Sequence, residues 1–480
     1  MARDMDIATD TIRADLCVIG GGSGGLSVAA GAVQMGASVV LVEGGAMGGD
    51  CLNHGCVPSK SLLAAAKHAS GLGQGGAFGV RPAAAQVDFS AVHAHVHDVI
   101  AGIAPHDSVE RFEGLGVHVI RGWARFTDRD RIEAAGVTVR ARRFVIATGS
   151  RAVVPPIPGL ADVPYLTNET LFDLTERPDH LLVLGGGPIG MEMAQAHRRL
   201  GAAVTVLEST RALGREDPEA AAVVIARLRA EGVTLREGVR AIGVAGEAGA
   251  ITVTLDGGET VAGSHLLVAV GRRAVLDRLD LEIGGVKAGP QGVAVDRGLR
   301  SVSNRRVYAV GDAAGGLQFT HLAGYHAGLV IRSALFRLPV RVRTDHIPRT
   351  TYTDPELAQI GMTEAEARLA GERFEVARAE FSENDRARAE RRTEGFAKVI
   401  VGRGGRILGA SIAGPQAGEL IGVFALAISA RLKIGAVAGM VAPYPTLVEV
   451  CKRAAGAYYT PRLFANARVK QVVRLLAKLG

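Results

Sequence analysis

Short apolar runs at residues 16–19 and 38–42 flank an alanine-rich stretch with helical spacing. Between the first run and that stretch stand Gly20-Gly21-Gly22-Ser23-Gly24-Gly25. The order strand, glycine turn, helix, strand is the βαβ dinucleotide-binding pattern, and Glu43 closes it. The same order recurs at 181–184, followed by Gly185-Gly186-Gly187-Pro188-Ile189-Gly190, a second strand at 203–207 and Glu208. Each acid lies 18 residues past the last glycine of its fingerprint (25 to 43, 190 to 208). Apolar runs at 144–150 and 266–272, which contain Thr148-Gly149 and Gly271, read as buried strands ending in glycine turns. Pro155-Pro156-Ile157-Pro158-Gly159 can continue neither a helix nor a central strand and reads as a linker. A second boundary is expected near 341–348. Beyond it, alternating runs such as 397–401 and a helical stretch at 417–430 predict a separate domain without a fingerprint.

The pattern therefore predicts an α/β fold: two Rossmann-like dinucleotide-binding domains and a C-terminal α+β domain. In each fingerprint the glycines (Gly20, Gly22 and Gly25; Gly185, Gly187 and Gly190) allow the tight turn, close approach of the backbone to a pyrophosphate, and close helix–strand packing. The helix N-terminus presents its positive end to the phosphates, and Glu43 or Glu208 can accept hydrogen bonds from ribose hydroxyls. One such fingerprint is a weak signal; two in matching context imply two dinucleotides.

Composition narrows this reading without redirecting it. The chain has 480 residues, 48% of them hydrophobic, with 63 glycines scattered without a period, as suits a multidomain globular α/β protein. The net charge is +7 and the pI about 9.4. The basic residues are dispersed among 48 acidic ones, with no zinc-finger spacing and no aromatic–basic strip, so the charge reads as solubility and no nucleic-acid partner is expected. Residues 1–15 are short and polar, which argues against a secretory leader, and the apolar stretch at 420–430 is too short to span a bilayer. A cytoplasmic protein is expected. The tail at 469–479 segregates apolar and basic residues at helical spacing, as a helix packed on its own dimer or one in weak contact with a membrane or membrane protein would.

The chain has four cysteines, too few for a disulfide scaffold. Four residues separate Cys51 from Cys56 at the start of a predicted helix, so two thiols can meet across one turn, and the helix N-terminus would favour a thiolate. A redox pair is the expectation; two structural cysteines are the bland alternative, and no second Cys or His pair completes a metal site. Cys17 and Cys451 read as packing. His93, His95 and His97 lie in a segment, 89–103, that reads as helical, where i and i+2 side chains diverge; no metal site is expected there.

These motifs, with Val307-Tyr308-Ala309-Val310-Gly311-Asp312-Ala313, Tyr352-Thr353-Asp354-Pro355-Glu356, Ala417-Gly418-Glu419-Leu420 and Tyr444-Pro445-Thr446, strongly resemble the pyridine nucleotide-disulfide oxidoreductases over about residues 15–455. The resemblance implies an FAD-binding domain carrying the redox disulfide at 1–155, an NAD(P)-binding domain at 156–274, a second part of the FAD/central domain at 275–345, an interface domain at 346–460 and a basic amphipathic tail at 461–480. It also implies FAD and NADH or NADPH as cofactors, a small-molecule acceptor, and a homodimer with a shared active site. Cys56 would be the thiol nearest the flavin and Cys51 the interchange thiol. Lys60 would sit beside the flavin, paired with Glu192. Asp312 would bind the ribityl chain, Gly122, Thr148 and Gly149 would line the FAD site, and Gly271 would border the nicotinamide nucleotide.

Departures inside the family refine the expected chemistry. Disulfide-reducing members such as dihydrolipoamide dehydrogenase carry a His, held by a downstream Glu, where this chain has Tyr444, followed by Glu449. A phenol with an ordinary pKa near 10 is a poor proton shuttle at neutral pH. Tyr444, the Asp of Gly48-Gly49-Asp50-Cys51 and the run Glu383-Asn384-Asp385-Arg386-Ala387 resemble mercuric-reductase-like members, although no adjacent cysteine pair stands near the end of the sequence. A thiol-bound metal or a disulfide is thus the expected acceptor. Competing expectations are a dihydrolipoamide dehydrogenase-type or quinone reductase and, outside enzymes, a flavoprotein redox sensor or adaptor at a membrane partner. Glu208 favours NADH, while Arg211 and Arg215 could accept a 2′-phosphate.

Overall fold

The computed structural model describes residues 11–479. The first ten residues of the polar N-terminal stretch, in which no leader is expected, lie outside the described residues. The chain divides into two compact units. One holds the chain up to Asp179 with Ile242–Thr254 and Thr260–Val342; the other holds His180–Ala241, Leu255–Glu259 and everything from Arg343 onward.

The first unit is built on parallel strands in the spatial order His118–Arg121, Val39–Glu43, Thr11–Ile19, Val137–Ile146, with Val307–Ala309 also parallel to Val137–Ile146. Ile19 stands opposite both Val42 and Ile146, which aligns the carboxyl ends of the strands. The carboxyl-terminal parts of the central strands, such as residues 16–19 and 144–146, are unbroken apolar runs because both faces are covered there. Cys17, Ile19, Val40, Val42, Phe144 and Ile146 face one core, with Phe126 and Ile132 from the antiparallel strands Arg125–Asp128 and Arg131–Ala134. Leu16, Val18, Leu41 and Val145 face the other core, under the helices Ser23–Gln34 and Thr320–Phe336. Cys17 is fully buried, as expected of a packing residue, and burial raises its thiol pKa strongly.

In the second unit, His180–Leu184, Ala203–Glu208 and Thr234–Glu237 are parallel, and the helix Pro188–Arg199 follows the first of them. The C-terminal part is an antiparallel sheet in the order Arg349–Thr351, Glu356–Gly361, Ile407–Gly414, Phe396–Gly402, Phe374–Glu380. The apolar helix Ala417–Ser429 and the buried face of the amphipathic helix Glu449–Ala457 contribute to its core, where Cys451 is fully buried and its thiol pushed up to about 12. Lys398, 2% exposed, is clamped by Asp217 at 2.7 Å and Glu219 at 2.8 Å. Burial opposes its charge, but the two carboxylates outweigh burial and hold the ammonium above its ordinary pKa. Removing the lysine would leave Asp217 buried without its partner, a loss of about 3 kcal/mol or more.

The segment Phe89–Ile103 is a helix, as its pattern predicts. His93 and His97, one turn apart, have ring centroids 4.2 Å from each other, and His97 Nε2 lies 3.2 Å from the Phe172 carbonyl oxygen. Among the described residues no group of three His, Cys, Asp or Glu is placed to hold a metal ion, and no helix is long and apolar enough to cross a membrane. The tail forms an exposed helix, Ala467–Leu476, capped by Asn466.

Candidate active site

The expected cofactor residues of the first unit collect at the carboxyl ends of its parallel strands, where open α/β sheets bind ligands. Gly20 follows the strand Thr11–Ile19 with φ +111°, and a Cβ there would lie 2.4 Å from the Ala147 carbonyl oxygen. A Cβ on Gly25 would lie 1.8 Å from the Gly20 oxygen, so only glycine lets the helix start this close to the strand. Gly22 is the N-cap of that helix and no side chain caps it. The first N–H groups of a helix have no intrahelical partner, so this bare turn fits a dinucleotide pyrophosphate.

Glu43 ends the second strand and accepts from the Gly21 and Gly45 N–H groups through its two oxygens. Gly122 donates its N–H to the Glu43 carbonyl at 2.9 Å, which places it beside the acid. Next to it, the indole of Trp123 lies over Gly44, where a Cβ would be 2.3 Å from the ring, and the Arg278 guanidinium stands 4.6 Å from the ring centroid. Thr148 Oγ1 donates to the Val275 carbonyl at 2.6 Å, and Gly149 adopts φ +68°. Asp312, in the turn after Val307–Ala309, accepts from Ser150 Oγ at 2.5 Å. Burial raises its carboxyl pKa despite that bond and the charge of Arg272.

The cysteine turn is sewn onto this cradle. Gly22 bridges Gly48, and the Gly48 N–H donates to the Gly21 carbonyl at 2.9 Å. Gly49 comes next with φ +59°, where a Cβ would meet Gly22 Cα at 2.7 Å. Cys51 lies in the short helix Gly49–Asn53 and Cys56 is the first residue of Cys56–Leu72. Pro58 is tolerated there because the first turn needs no N–H from it. Both cysteines are free thiols, and a hydrogen bond from Cys51 lowers the Cys56 thiol to about 6. Burial opposes this, while Thr320 Oγ1, 3.5 Å from the Cys56 sulfur, and the Lys60 charge assist it. The same hydrogen bond, followed by burial, raises Cys51 well above an ordinary thiol. The pair thus has one thiolate and one proton-holding thiol. Lys60 lies one turn along from Cys56, with Nζ 3.3 Å from Ser59 Oγ.

In the second unit the other fingerprint repeats the geometry. Gly185 has φ +105°, a Cβ on Gly190 would lie 2.0 Å from the Gly185 oxygen, and Gly187 caps the Pro188–Arg199 helix without a side-chain partner. Glu208 accepts from the Gly186 N–H at 2.8 Å, and from the Thr210 N–H and hydroxyl at 2.8 and 2.9 Å. Burial works against its charge, yet these donors and Ser209 hold its pKa below the ordinary carboxylate range. Arg211 and Arg215 are exposed. Glu192 is buried on the following helix, and its Oε1 accepts the Tyr352 N–H at 2.8 Å. Lys60 and Glu192 belong to different units, and Gly271, φ +138°, belongs to the first.

Tyr444, 70% exposed, donates its hydroxyl to Asp385 Oδ2 at 2.9 Å. That bond and the Asp385 charge raise the phenol further above neutrality. Glu449 opens the helix Glu449–Ala457, and its Oε2 is buried without a hydrogen-bond partner among the described residues. Sequence reasoning missed the partners that hold these groups: Thr320 beside Cys56, Asp385 beneath Tyr444, and Arg272 with Asn168 around Asp50. Arg272 did leave a signal, a cation at the end of an apolar strand run; Asn168 left none, because it reaches Asp50 from 118 residues away.

Comparison with known proteins adds the wider context. The family described as pyridine nucleotide-disulphide oxidoreductase matches residues 14–327, and its dimerisation domain matches residues 347–455. A mercuric reductase of Streptomyces lividans is 38% identical over 452 residues, covering 92% of this chain and 95% of that protein. A dihydrolipoyl dehydrogenase of Bacillus subtilis is 32% identical over 449 residues, covering 92% and 97%. Among solved structures, LpdA from Mycobacterium tuberculosis superposes with a TM-score of 0.85 at 28% identity, covering 93% of this chain and 99% of that one. The HOCl-induced flavoprotein disulfide reductase RclA of Escherichia coli gives 0.82 at 27% identity, covering 92% and 99%.

Proposed function

We propose, for a chain that belongs to the pyridine nucleotide-disulphide oxidoreductases and is an FAD-dependent enzyme of that family, a mercuric-reductase-like reaction: electrons from NADH reach a thiol-bound metal ion or a disulfide through Cys56 and Cys51. FAD, held by the Gly20–Gly25 turn, Glu43, Gly122, Thr148, Gly149 and Asp312, would supply hydride acceptance from the nicotinamide and a two-electron reduction of the disulfide. The protein's own part is to keep the reduced pair divided in role. Cys56 carries the negative charge, supported by Cys51, Thr320 and Lys60. Cys51 keeps the proton until it exchanges with the acceptor.

The observation that carries the choice of acceptor is Tyr444. Its hydroxyl is committed to Asp385 and its pKa is raised, so this side chain is unsuited to protonating a departing thiol. Reduction of a metal carried on thiols needs exchange between thiolates more than it needs that proton. Glu208, ionised and held at the end of its strand, supports NADH, since a carboxylate repels a 2′-phosphate. On this reading the enzyme is a homodimer with a shared site, supported by the match of residues 347–455 to the dimerisation domain. It works in the cytoplasm, where a thiol pair is kept able to cycle.

The deciding experiment offers the purified flavoprotein Hg(II) with excess thiol, lipoamide and a soluble quinone separately, and follows NADH and NADPH oxidation without oxygen. Preference for Hg(II), lost in Cys51→Ser, is the expected result. Turnover with lipoamide or quinone alone would remove the metal acceptor from the reading and leave the family chemistry in place.

A further inference from the structure

Asp50 stands immediately before Cys51, and its carboxylate is engaged on both sides. Oδ1 accepts from Asn168 Nδ2 at 2.8 Å, and Oδ2 lies 3.0 Å from Arg272 Nη2, whose side chain is 13% exposed. Asn168 also donates to the His54 carbonyl at 3.2 Å, and the His54 N–H donates to the Asp50 carbonyl at 2.9 Å. A Cβ on Gly55 would lie 2.9 Å from the Asp50 carbonyl oxygen and 3.0 Å from Oδ2, so the turn between the two cysteines wraps around this one residue. On its far side Arg272 donates from Nε to Ser150 Oγ at 2.8 Å, and Ser150 Oγ donates to Asp312. A continuous series of contacts therefore links the cysteine turn to Asp312, with Arg272 at its centre donating toward Asp50 on one side and, through Ser150, toward Asp312 on the other.

We propose that Asp50 and Arg272 act as a charge-compensated positioning pair that sets the balance between disulfide and dithiol at Cys51 and Cys56. The inference deepens the redox reading of that pair and rests on it. When the disulfide is reduced by two glutathione molecules, the products are the Cys51 thiol, the Cys56 thiolate, oxidised glutathione and one proton; the two electrons come from the glutathione sulfurs. The charged groups facing the new thiolate are Lys60 on its own helix and Asp50 on the preceding one; Thr320, from the helix Thr320–Phe336, is neutral. Asp50 opposes the thiolate, and Arg272 cancels much of that opposition. A carboxylate at this site is tolerable because its cation comes with it.

The two members of the pair should then act with opposite signs, which a purely structural brace would not do. In Asp50→Asn the amide keeps the acceptor for Asn168 while losing its charge, so the equilibrium with glutathione should move toward the dithiol by about threefold or more. In Arg272→Gln the carboxylate is left uncompensated, and the equilibrium should move toward the disulfide by a similar factor. The double variant should return close to the starting value. The measurement equilibrates each flavin-loaded protein in glutathione buffers, quenches with an alkylating reagent and counts the modified cysteines by mass, with FAD content read from visible absorbance. Shifts of the same sign in both single variants, or no shift in either, would overturn the pair. If Arg272→Gln loses FAD, Arg272→Lys replaces it and should behave like the starting protein. If the unsubstituted protein shows no exchange between disulfide and dithiol, the redox reading itself fails.

Discussion

The two glycine fingerprints are close copies that lead to different surroundings. In both, the first glycine has a positive φ near 105–111°, the last sits where any Cβ would meet a backbone oxygen within 2.0 Å, and the terminal acid accepts the N–H of the second glycine. They diverge after the acid. Behind Glu43 the chain turns through Gly44 and Gly45, bridges back to Gly22 at Gly48 and runs into the cysteine turn. Behind Glu208 come Ser209 and Thr210, which hold the carboxylate, and then the exposed Arg211. The first cradle is enclosed by backbone that leads to the chemistry; the second is lined by short hydroxyl side chains and opens to solvent. The fingerprint geometry is shared, and the two copies differ in the residues just past the acid.

The largest expected effect tests where the first cradle leads. Cys51→Ser should cut acceptor turnover by about a thousandfold or more while NADH still bleaches the flavin, and Cys56→Ser should abolish the long-wavelength absorbance that appears on reduction. An unchanged band would remove Cys56 from its role. A step smaller, Gly25→Ala and Gly190→Ala insert the same methyl group into equivalent clashes, each costing about 1–3 kcal/mol. The first should be isolated with little FAD, measured by visible absorbance. The second should keep its FAD and lose NADH affinity by about tenfold or more. Identical outcomes would break the contrast.

A pH series sharpens the electrostatic side. The Cys56 thiol is lowered to about 6, so its thiolate is present above that pH and lost below it. The alkylation rate of the reduced protein should be flat above about pH 7 and fall about tenfold per pH unit below 6. A midpoint near that of a free thiol would mean that the pair is not polarised in this way. Smaller still, Glu208→Ala should erode the preference for NADH over NADPH severalfold, and Arg211→Ala should restore it in that background. Tyr444→His should raise lipoamide reduction a few-fold; no gain would show that the proton shuttle is not what limits it.

Much of this was legible in the chain because the signals are local. Strand, glycine turn, helix and acid lie within about thirty residues of one another, and the steric demand on Gly25 or Gly190 is made by backbone a few positions away. The helix at Phe89–Ile103 and the buried state of Cys17 follow from periodicity alone. Asp50 is different: its charge was visible beside Cys51, but its partners Asn168 and Arg272 come from distant strands and turns, brought near only by the packed sheet. Tyr444 is similar. Its identity could be read, yet its commitment to Asp385 needed its own loop and the start of the short helix Asp385–Ala389 to meet.

Trp123 is the single tryptophan of the chain, and it rests on Gly44, one residue past the acid of the first fingerprint. All indole emission from this protein therefore originates at one known point, beside the residues that would hold the adenosine half of FAD. Loading of the apoprotein can be followed by the quenching of that one emitter, with no external label and no turnover assay.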